Sequence, residues 1–407
     1  MSGSKTITFS GKGLAGDLAD PRNWAGGVVP GIADTALIKI NVGAPIGGTF
    51  AVNNMMLLGT EKITFTGTLD TAGVGACQGL MVCDGAEAVF APGAVLNDGN
   101  AFIVGNDAVG TLLAQGSGAT HSVINSVSAN IGKQDAGVGV VTIDDGVWIN
   151  SGRALIGDAG VGTVNVIDKG SVTIGGEIVM AASLGSSGTL NIASGGAVTG
   201  SGALQEGGTG KGDAVINVGS ASSLTVGTTL TVGSGSAIDL AGGTVTAGVT
   251  AGGIRLLAGG TMSGFGTLAD ADGVPIGDSG VIRATGGTLT VAGNVDGSGA
   301  VQIAANSSAV LTGASLRMAS IAFIGPDATL SLAHGSTVTA AISGFAIGDM
   351  IAIGSVDAVS FAAATGILTL SENNAQVETL HLAGSFSGEM FAVHQSAGHA
   401  IITLQHS

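Results

Sequence analysis

The sequence predicts an all-β protein built as a parallel β-helix, that is, a β-solenoid in which short strands stack in successive coils. Glycine accounts for 74 of 407 residues, against about 7% in average usage, whereas there are only 6 prolines. Hydrophobic residues make up 45% of the chain and aromatic residues only 3%. Many glycines together with many small apolar residues indicate short strands with a turn every few residues. The third observation is a repeat.

The repeat begins with glycine and alternates apolar with polar residues. It recurs at Gly110 (GTLLA), Gly139 (GVVTID), Gly162 (GTVNVID) and Gly188 (GTLNIAS), at intervals of 29, 23 and 26 residues. A turn and one or two further short strands follow each phrase, as in KGSVTI at 169–174. One such strand cannot bury its apolar face alone, but coils stacked about 4.8 Å apart pair their backbones and share a core. No long stretch has helical periodicity.

The pattern predicts three parts. Residues 37–342 form the solenoid, with regular repeats over about 100–235 and less regular ones over 236–342. If nearly all of the chain before residue 343 coils at about 25 residues per turn, there are roughly 13 or 14 coils. Residues 1–36 form an N-terminal cap, and residues 343–407 form a C-terminal β module that serves as a cap and as an export or assembly signal.

Caps are expected because the end of a solenoid exposes strand edges. Trp24 lies between Pro21 and Pro30 in the segment DPRNWAGGVVPGIAD, and these three residues are the predicted N-terminal plug. The alternative is that Trp24 stacks on a sugar ring. At the other end, Phe345 and Asp349 in GFAIGDMIAI are the predicted structural residues of the junction with the C-terminal module.

The charge balance is strongly acidic, with 12 Lys and Arg, 28 Asp and Glu, and a net charge of −16. Nucleic-acid binding requires a basic footprint, and anionic membranes would repel the chain. Asp270, Asp272 and Asp278 in DADGVPIGD are the candidate metal ligands, and Ca²⁺ is the only cofactor that the sequence suggests. Asp-x-Asp-Gly matches part of a Ca²⁺ loop, but the closing Glu is missing. The alternative interpretation is a solvated acidic turn.

The residue types do not favour an enzyme. Glycoside hydrolysis needs two carboxylates about 5 to 9.5 Å apart and usually aromatic platforms for the sugar. Asp144 and Asp145 are adjacent and would point to opposite faces of a strand. Asp270 and Asp272 could share a face, but the chain has no Tyr and only 2 Trp. We therefore predict no catalytic residues.

The two cysteines, Cys77 and Cys83, occur in CQGLMVC. Six residues apart, they would be about 20 Å distant on a straight strand. We expect two buried thiols; the alternative is a local disulfide made across a turn. The six histidines are expected to be surface residues, since no four-ligand zinc pattern is visible.

The repeat GTVNVIDKGSVTIGGEIVMAASLGSSGTLNIASGGAVTG resembles those of bacterial autotransporter passengers and related secreted β-solenoids. The opening DPRNWAGGVVPGIADTALI resembles the segment that often introduces them. The segments GGTMSGFGTL, ISGFAIGDMIAI and TGILTLSENNAQVETLHLAGSFSGEMF are similar to the C-terminal portion of large alphaproteobacterial surface proteins that leave the cell by a type I route. The Gly-Gly-x-Gly-x-Asp array of Ca²⁺-binding type I substrates is absent, and no C-terminal half resembling a membrane β-barrel with an aromatic girdle follows the repeats.

The resemblance implies an extracellular or cell-surface location, with export that needs no cleaved N-terminal signal. No apolar leader opens the sequence, and no stretch reaches the roughly 18 apolar residues of a membrane helix, so membrane insertion is not expected. We predict a structural surface protein, such as a fibre, matrix or surface-layer subunit, whose partner is a further copy of itself. The alternatives are an adhesin that binds a surface glycan or a host, and a β-helix enzyme that cleaves polysaccharides.

Overall fold

The computed structural model describes residues 5–74, 79–207, 211–386, 388–396 and 399–406. It confirms the predicted fold: a parallel β-solenoid of about 12 turns, with 57% strand and 2% helix. The number of turns is slightly below the 13 or 14 predicted. The segment after the first strand forms turns and two short 3-10 helices, Pro21–Asn23 and Ala25–Gly27, instead of a coil. The chain divides into two compact units, residues 1–227 and 228–407.

The first unit contains short strands that follow one another around each coil. Their bounds are β1 (Thr6–Thr8), β2 (Thr35–Ile38), β3 (Thr49–Val52), β4 (Asn54–Leu57), β5 (Lys62–Phe65), β6 (Thr68–Thr71), β7 (Leu80–Val82), β8 (Glu87–Phe90), β9 (Val95–Asp98), β10 (Ala101–Val104), β11 (Val109–Ser117), β12 (Thr120–His121), β13 (Val123–Ser126), β14 (Ser128–Ile131), β15 (Val138–Asp144), β16 (Val147–Asn150), β17 (Ala154–Ile156), β18 (Val161–Ile167), β19 (Ser171–Ile174), β20 (Ile178–Met180), β21 (Ser187–Ile192), β22 (Ala197–Gly200), β23 (Leu204–Glu206), β24 (Asp213–Gly219) and β25 (Ser223–Val226).

The repeat glycines are register partners. Gly110 lies opposite Gly139, Gly139 opposite Gly162, and Gly162 opposite Gly188, each pair on adjacent parallel strands. A regular coil has three strands, as in β15, β16 and β17, and each pairs with its counterpart one coil later. The phrases found in the sequence are therefore the successive coils of the solenoid.

The core of this unit consists of columns of aliphatic side chains. One column is formed by buried register partners on β11, β15, β18, β21 and β24. Because the side chains of a strand alternate between its two faces, every second residue of the repeat points inward. Stacking places these residues in contact and removes their apolar surface from water. The members of this column are Leu112, Val141, Val164, Leu190 and Ile216.

Near the N-terminus, Trp24 is buried, with 2% of its surface exposed. Its Nε1 donates a hydrogen bond to the Leu18 carbonyl at 2.7 Å. Its ring lies edge-on to Phe9, with centroids 5.4 Å apart, and stacks on Phe50 at 5.8 Å. The preceding 3-10 helix begins at the exposed Pro21, while Pro30 is buried. The indole face is occupied by other rings and is not available to a sugar.

The second unit begins with further parallel coils and ends in antiparallel strands. Its strands are β26 (Thr229–Val232), β27 (Ala237–Ala247), β28 (Gly253–Leu256), β29 (Thr261–Asp270), β30 (Ile276–Asp278), β31 (Val281–Ala292), β32 (Val295–Gly297), β33 (Ala300–Ile303), β34 (Ser308–Leu311), β35 (Ser315–Arg317), β36 (Ser320–Phe323), β37 (Thr329–Leu332), β38 (Thr337–Val338), β39 (Ala341–Ser343), β40 (Met350–Gly354), β41 (Ala358–Ala362), β42 (Ile367–Glu372), β43 (Ala375–Ala383), β44 (Glu389–Ser396) and β45 (His399–His406).

The antiparallel strands form two layers attached to the last coil. One layer is β41–β42–β43, and its strand β43 pairs in parallel with β39. The other is β44–β45, and its strand β45 pairs antiparallel with β40. Phe345 is buried between Phe323 and Phe391, and both carboxylate oxygens of Asp349 accept backbone hydrogen bonds, from Ala328 and Ala346, at 3.0 Å. Phe345 and Asp349 thus lie where this segment begins.

Of the two cysteines, Cys83 is buried and free. Burial, with smaller effects from the Asp107 and Asp84 carboxylates, raises the pKa of its thiol to about 11. A thiol with so high a pKa is unreactive at neutral pH. Cys77 lies outside the described residues, so the predicted pair is not tested as a pair.

Candidate functional site

The long strands of the first unit present an outward surface, which we call the outer face. It consists of three columns of five register partners on β11, β15, β18, β21 and β24, about 4.8 Å apart along each column. All of these side chains are exposed or half-exposed, and all except Asp213 are uncharged. The columns are Val109, Val138, Val161, Ser187 and Asp213; Thr111, Val140, Thr163, Thr189 and Val215; and Leu113, Thr142, Asn165, Asn191 and Asn217.

The adjoining strands continue this uncharged surface. On β13, β16, β19, β22 and β25, the first and third residues point outward and are register partners from coil to coil. None of these residues carries a charge. We call this surface the side face; its residues are Val123, Asn125, Val147, Ile149, Ser171, Thr173, Ala197, Thr199, Ser223 and Thr225.

The polar groups of the outer face bond to one another. Asn217 Nδ2 donates to Asn191 Oδ1 at 2.7 Å, and Asn191 Nδ2 donates to Asn165 Oδ1 at 2.8 Å. Asn165 Nδ2 in turn donates to Thr142 Oγ1 at 3.2 Å. Removing water from amides that are already paired within a ladder costs less free energy than removing it from unpaired amides. The face combines β-branched side chains with polar groups that are already engaged, a combination suited to contact with another flat surface.

Charged residues gather at the corner after these strands. Asp144, at the end of β15, borders the outer face, and burial followed by the nearby Asp168 and Asp145 carboxylates raises its pKa. These aspartates and Lys169 line a cleft of about 440 Å³. His121 Nδ1 lies 3.4 Å from Asp145 Oδ1. The corner therefore concentrates charge beside a face that has almost none.

The three aspartates named from the sequence are engaged by the backbone or by each other. Asp270 Oδ2 accepts a hydrogen bond from Ile254 N at 3.2 Å, and burial followed by a hydrogen bond with the Asp272 carboxylate raises the pKa of Asp270 to about 6. Hydrogen bonding by Val274 N, the largest effect, lowers the pKa of Asp272. Carboxylates that share a hydrogen bond are closer than the roughly 5 Å needed by a retaining glycosidase.

Asp278 is fully buried, and its Oδ1 accepts a hydrogen bond from Gly280 N at 3.0 Å. Burial raises its pKa to about 6. Among the residues that the structure describes, no group of three or more His, Cys, Asp or Glu side chains is arranged to hold a metal ion. The three aspartates are therefore not brought together as a ligand set. The Asp278 carboxylate instead accepts a hydrogen bond within the turn that follows it.

A cleft of about 660 Å³ opens between the two antiparallel layers of the second unit. Its walls include Phe361 from β41, Phe386 from the loop between β43 and β44, and Phe391 from β44, which we call the phenyl cluster. Their centroids are 4.9 to 5.3 Å apart, with interplanar angles from 43° to 88°. All three rings are half-exposed, and Met390 beside them is 54% exposed. We call this space the C-terminal cleft.

Sequence reasoning did not find either surface. The outer face could have been found from the repeats, because Asp, Glu, Lys and Arg are almost absent from their alternate polar positions. The phenyl cluster had no such signal, since its rings come from two strands and a loop that only the fold brings together. The outer face lies wholly within the first compact unit, and the phenyl cluster lies wholly within the second.

No protein-family model matches this chain, and a comparison with curated proteins finds no significant match. Within the described residues, no helix has the length and apolar character required to cross a membrane.

Proposed function

We propose that the protein is an extracellular structural component that self-assembles laterally, with the outer face of one copy packing on that of another. The single observation that supports this is the near absence of charge from a flat, regular, β-branched surface. The cores of protein interfaces are depleted of charged residues. Exposed ladders of like side chains on parallel strands are also the surfaces that pack between stacked sheets.

The net charge of −16 favours the same surface as the contact. Copies of an acidic protein repel one another, and the repulsion is weakest where neither surface carries charge. Lateral packing of outer faces leaves the carboxylates of Asp144, Asp145 and Asp168 outside the contact. A contact through the corner of Asp144, Asp145 and Asp168 would instead bring like charges together.

The size of the outer face implies that a single contact is weak. Five strands about 4.8 Å apart and some six residues long cover about 20 Å by 20 Å, or roughly 400 Å². A stable interface buries about 800 Å² per partner. Assembly should therefore depend on protein concentration and gain strength from repetition along an array.

The location outside a bacterial cell rests on the resemblance of residues 162–200 to secreted β-solenoid repeats. Export by a type I route, with residues 343–407 contributing a signal, is part of the same proposal. A test is to express the chain with its last 65 residues deleted in a host that has such a transporter. Equal secretion of the full and shortened chains would contradict the proposed signal.

Negative-stain electron microscopy at increasing protein concentration tests the assembly. We expect sheets or bundles of the unaltered protein, and dispersed particles of the double variant Thr163→Lys, Val215→Lys. The matched control is Ala136→Lys, Leu184→Lys, which adds the same charge at exposed turn positions of the same unit. Equal assembly of both variants, or dispersed particles of the unaltered protein at every concentration, would refute the proposal.

The alternative of a glycan-binding adhesin requires exposed aromatic rings. The outer and side faces of the first unit contain none, so the rings of the C-terminal cleft are the place in the second unit where such binding is to be tested. Neutral sugars are therefore one arm of the experiment described next.

A further inference from the structure

From the structure we infer that the C-terminal cleft binds an organic cation of the quaternary-ammonium class, such as a trimethylammonium group. This site is independent of the outer face, because it lies in the other compact unit. The inference rests on the arrangement of the phenyl cluster and on the charge of its surroundings.

The rings of the phenyl cluster are tilted against one another rather than stacked flat. Phe361 and Phe386 meet at 88°, and Phe361 and Phe391 at 43°. Phe391 also stacks at 6.4 Å on the buried Phe345, which holds it from behind. Because these half-exposed rings line the cleft at different tilts, we infer that a bound group meets π faces as well as edges. The negative π face is the part that attracts a cation, and aromatic sites of this kind recognise quaternary ammonium groups.

The charge of the surrounding chain selects a cation over an anion. Residues 318–407 contain no Lys or Arg, whereas they contain Asp327, Asp349, Asp357, Glu372, Glu378 and Glu389. Glu389 lines the cleft. An anionic group such as a phosphate or a uronate would find no Lys or Arg partner within this segment. A cation would meet both the rings and a carboxylate, and its attraction to the latter weakens as salt is added.

A quaternary ammonium group suits the cleft better than a compact, strongly hydrated cation. Its methyl groups make apolar contacts with rings and with the Met390 thioether, and it gives up little hydration on entering. A neighbouring phosphate on the same ligand would oppose binding. The ligand class is therefore a trimethylammonium compound without an adjacent anionic group.

Isothermal titration calorimetry of the full chain at low salt tests this inference, with choline chloride as the probe. The matched ligand control is 3,3-dimethylbutan-1-ol, a neutral compound of the same shape. We expect choline to bind with a dissociation constant in the millimolar range, and the neutral compound about tenfold more weakly, since the two differ in the cation–π and carboxylate terms. Phosphocholine should bind more weakly than choline.

Two variants assign the binding to the cleft. Phe391→Leu keeps an apolar side chain but loses the π face, and Glu389→Gln removes a carboxylate from a half-exposed position. Each should weaken choline binding about five- to tenfold. Glu372→Gln removes a carboxylate from the same module outside the cleft and should leave binding unchanged. Glu389→Gln remains decisive if Phe391→Leu is poorly folded.

Three results would overturn the inference. Equal binding of choline and its neutral analogue would mean that the cleft recognises only apolar shape. Binding of glucose or cellobiose without choline would favour the glycan-binding adhesin. The absence of measurable heat with every probe, at ligand concentrations up to 50-fold above the expected dissociation constant (on the order of 0.1 M), would mean that the cleft has no ligand of this class.

Discussion

Asn191 donates a hydrogen bond from its Nδ2 to Oδ1 of Asn165 at 2.8 Å, and the two residues are register partners on adjacent coils. Their amides connect the coils through side chains as well as through the backbone. In a parallel solenoid, identical residues one coil apart are direct neighbours, so a bond made once can be repeated along the column. The ladder from Thr142 to Asn217 is such a column.

The ladder predicts the effect of Asn191→Asp. A carboxylate cannot donate to Asn165, although it can still accept from Asn217. We expect the free energy of unfolding to fall by about 1 kcal/mol, the usual contribution of one hydrogen bond. Urea denaturation measures the change. Thr189→Asp adds the same charge to the same strand but leaves the ladder intact, and equal destabilisation by both variants would mean that the charge alone is responsible.

The repeat glycines predict a steric effect. A Cβ at Gly162 would lie 2.2 Å from the Gly157 nitrogen and 2.5 Å from the Ile131 carbonyl oxygen, both of them backbone atoms. Because the backbone must move to relieve this contact, we expect Gly162→Ala to cost at least about 2 kcal/mol.

The control is Gly277→Ala on β30, where the nearest atom to a Cβ, the Ile254 carbonyl oxygen, is 3.8 Å away. This variant should differ from the unaltered protein by less than about 1 kcal/mol. Thermal or urea denaturation compares the two. A tolerated Gly162→Ala would contradict the requirement for a close approach of backbones at this position.

Glu378 predicts how stability depends on pH. Burial, only partly opposed by a hydrogen bond from Ser336, raises the pKa of this carboxyl group to about 7. The unfolded chain releases the proton near pH 4.5, so between pH 4.5 and 7 the folded state binds more protons and stability falls as pH rises. The contribution is about 3 kcal/mol across this range.

Glu378→Gln keeps the shape but does not titrate, so the variant should lose less stability than the unaltered protein between pH 4.5 and 7.5. Denaturant midpoints at several pH values measure the difference. Asp278, whose pKa burial raises to about 6, has the same sign of effect and remains in both proteins. Glu372→Gln, on the neighbouring strand, should leave the dependence unchanged. Parallel curves for Glu378→Gln and the unaltered protein would contradict the effect.

The fold could be predicted because it depends on local, repeated signals. Gly110, Gly139, Gly162 and Gly188 mark the same point of successive coils, and alternation assigns the inward residues without knowledge of distant contacts. Two features broke this logic. The amide that binds Asp270 comes from Ile254 on another strand, so the Asp-x-Asp-Gly motif gave no sign that this carboxylate is already engaged. The phenyl cluster depends on the pairing of β45 with β40, an antiparallel contact outside the repeat.

Sedimentation velocity over a hundredfold range of concentration is the most direct test of lateral assembly through the outer face. The sedimentation coefficient of the unaltered protein should rise with concentration, and that of Thr163→Lys, Val215→Lys should stay constant, while Ala136→Lys, Leu184→Lys follows the unaltered protein. Two lysines placed in a contact of about 400 Å² should weaken it at least tenfold. A concentration-independent coefficient for the unaltered protein, or the same rise in both lysine variants, would contradict an outer face that joins copies of this chain.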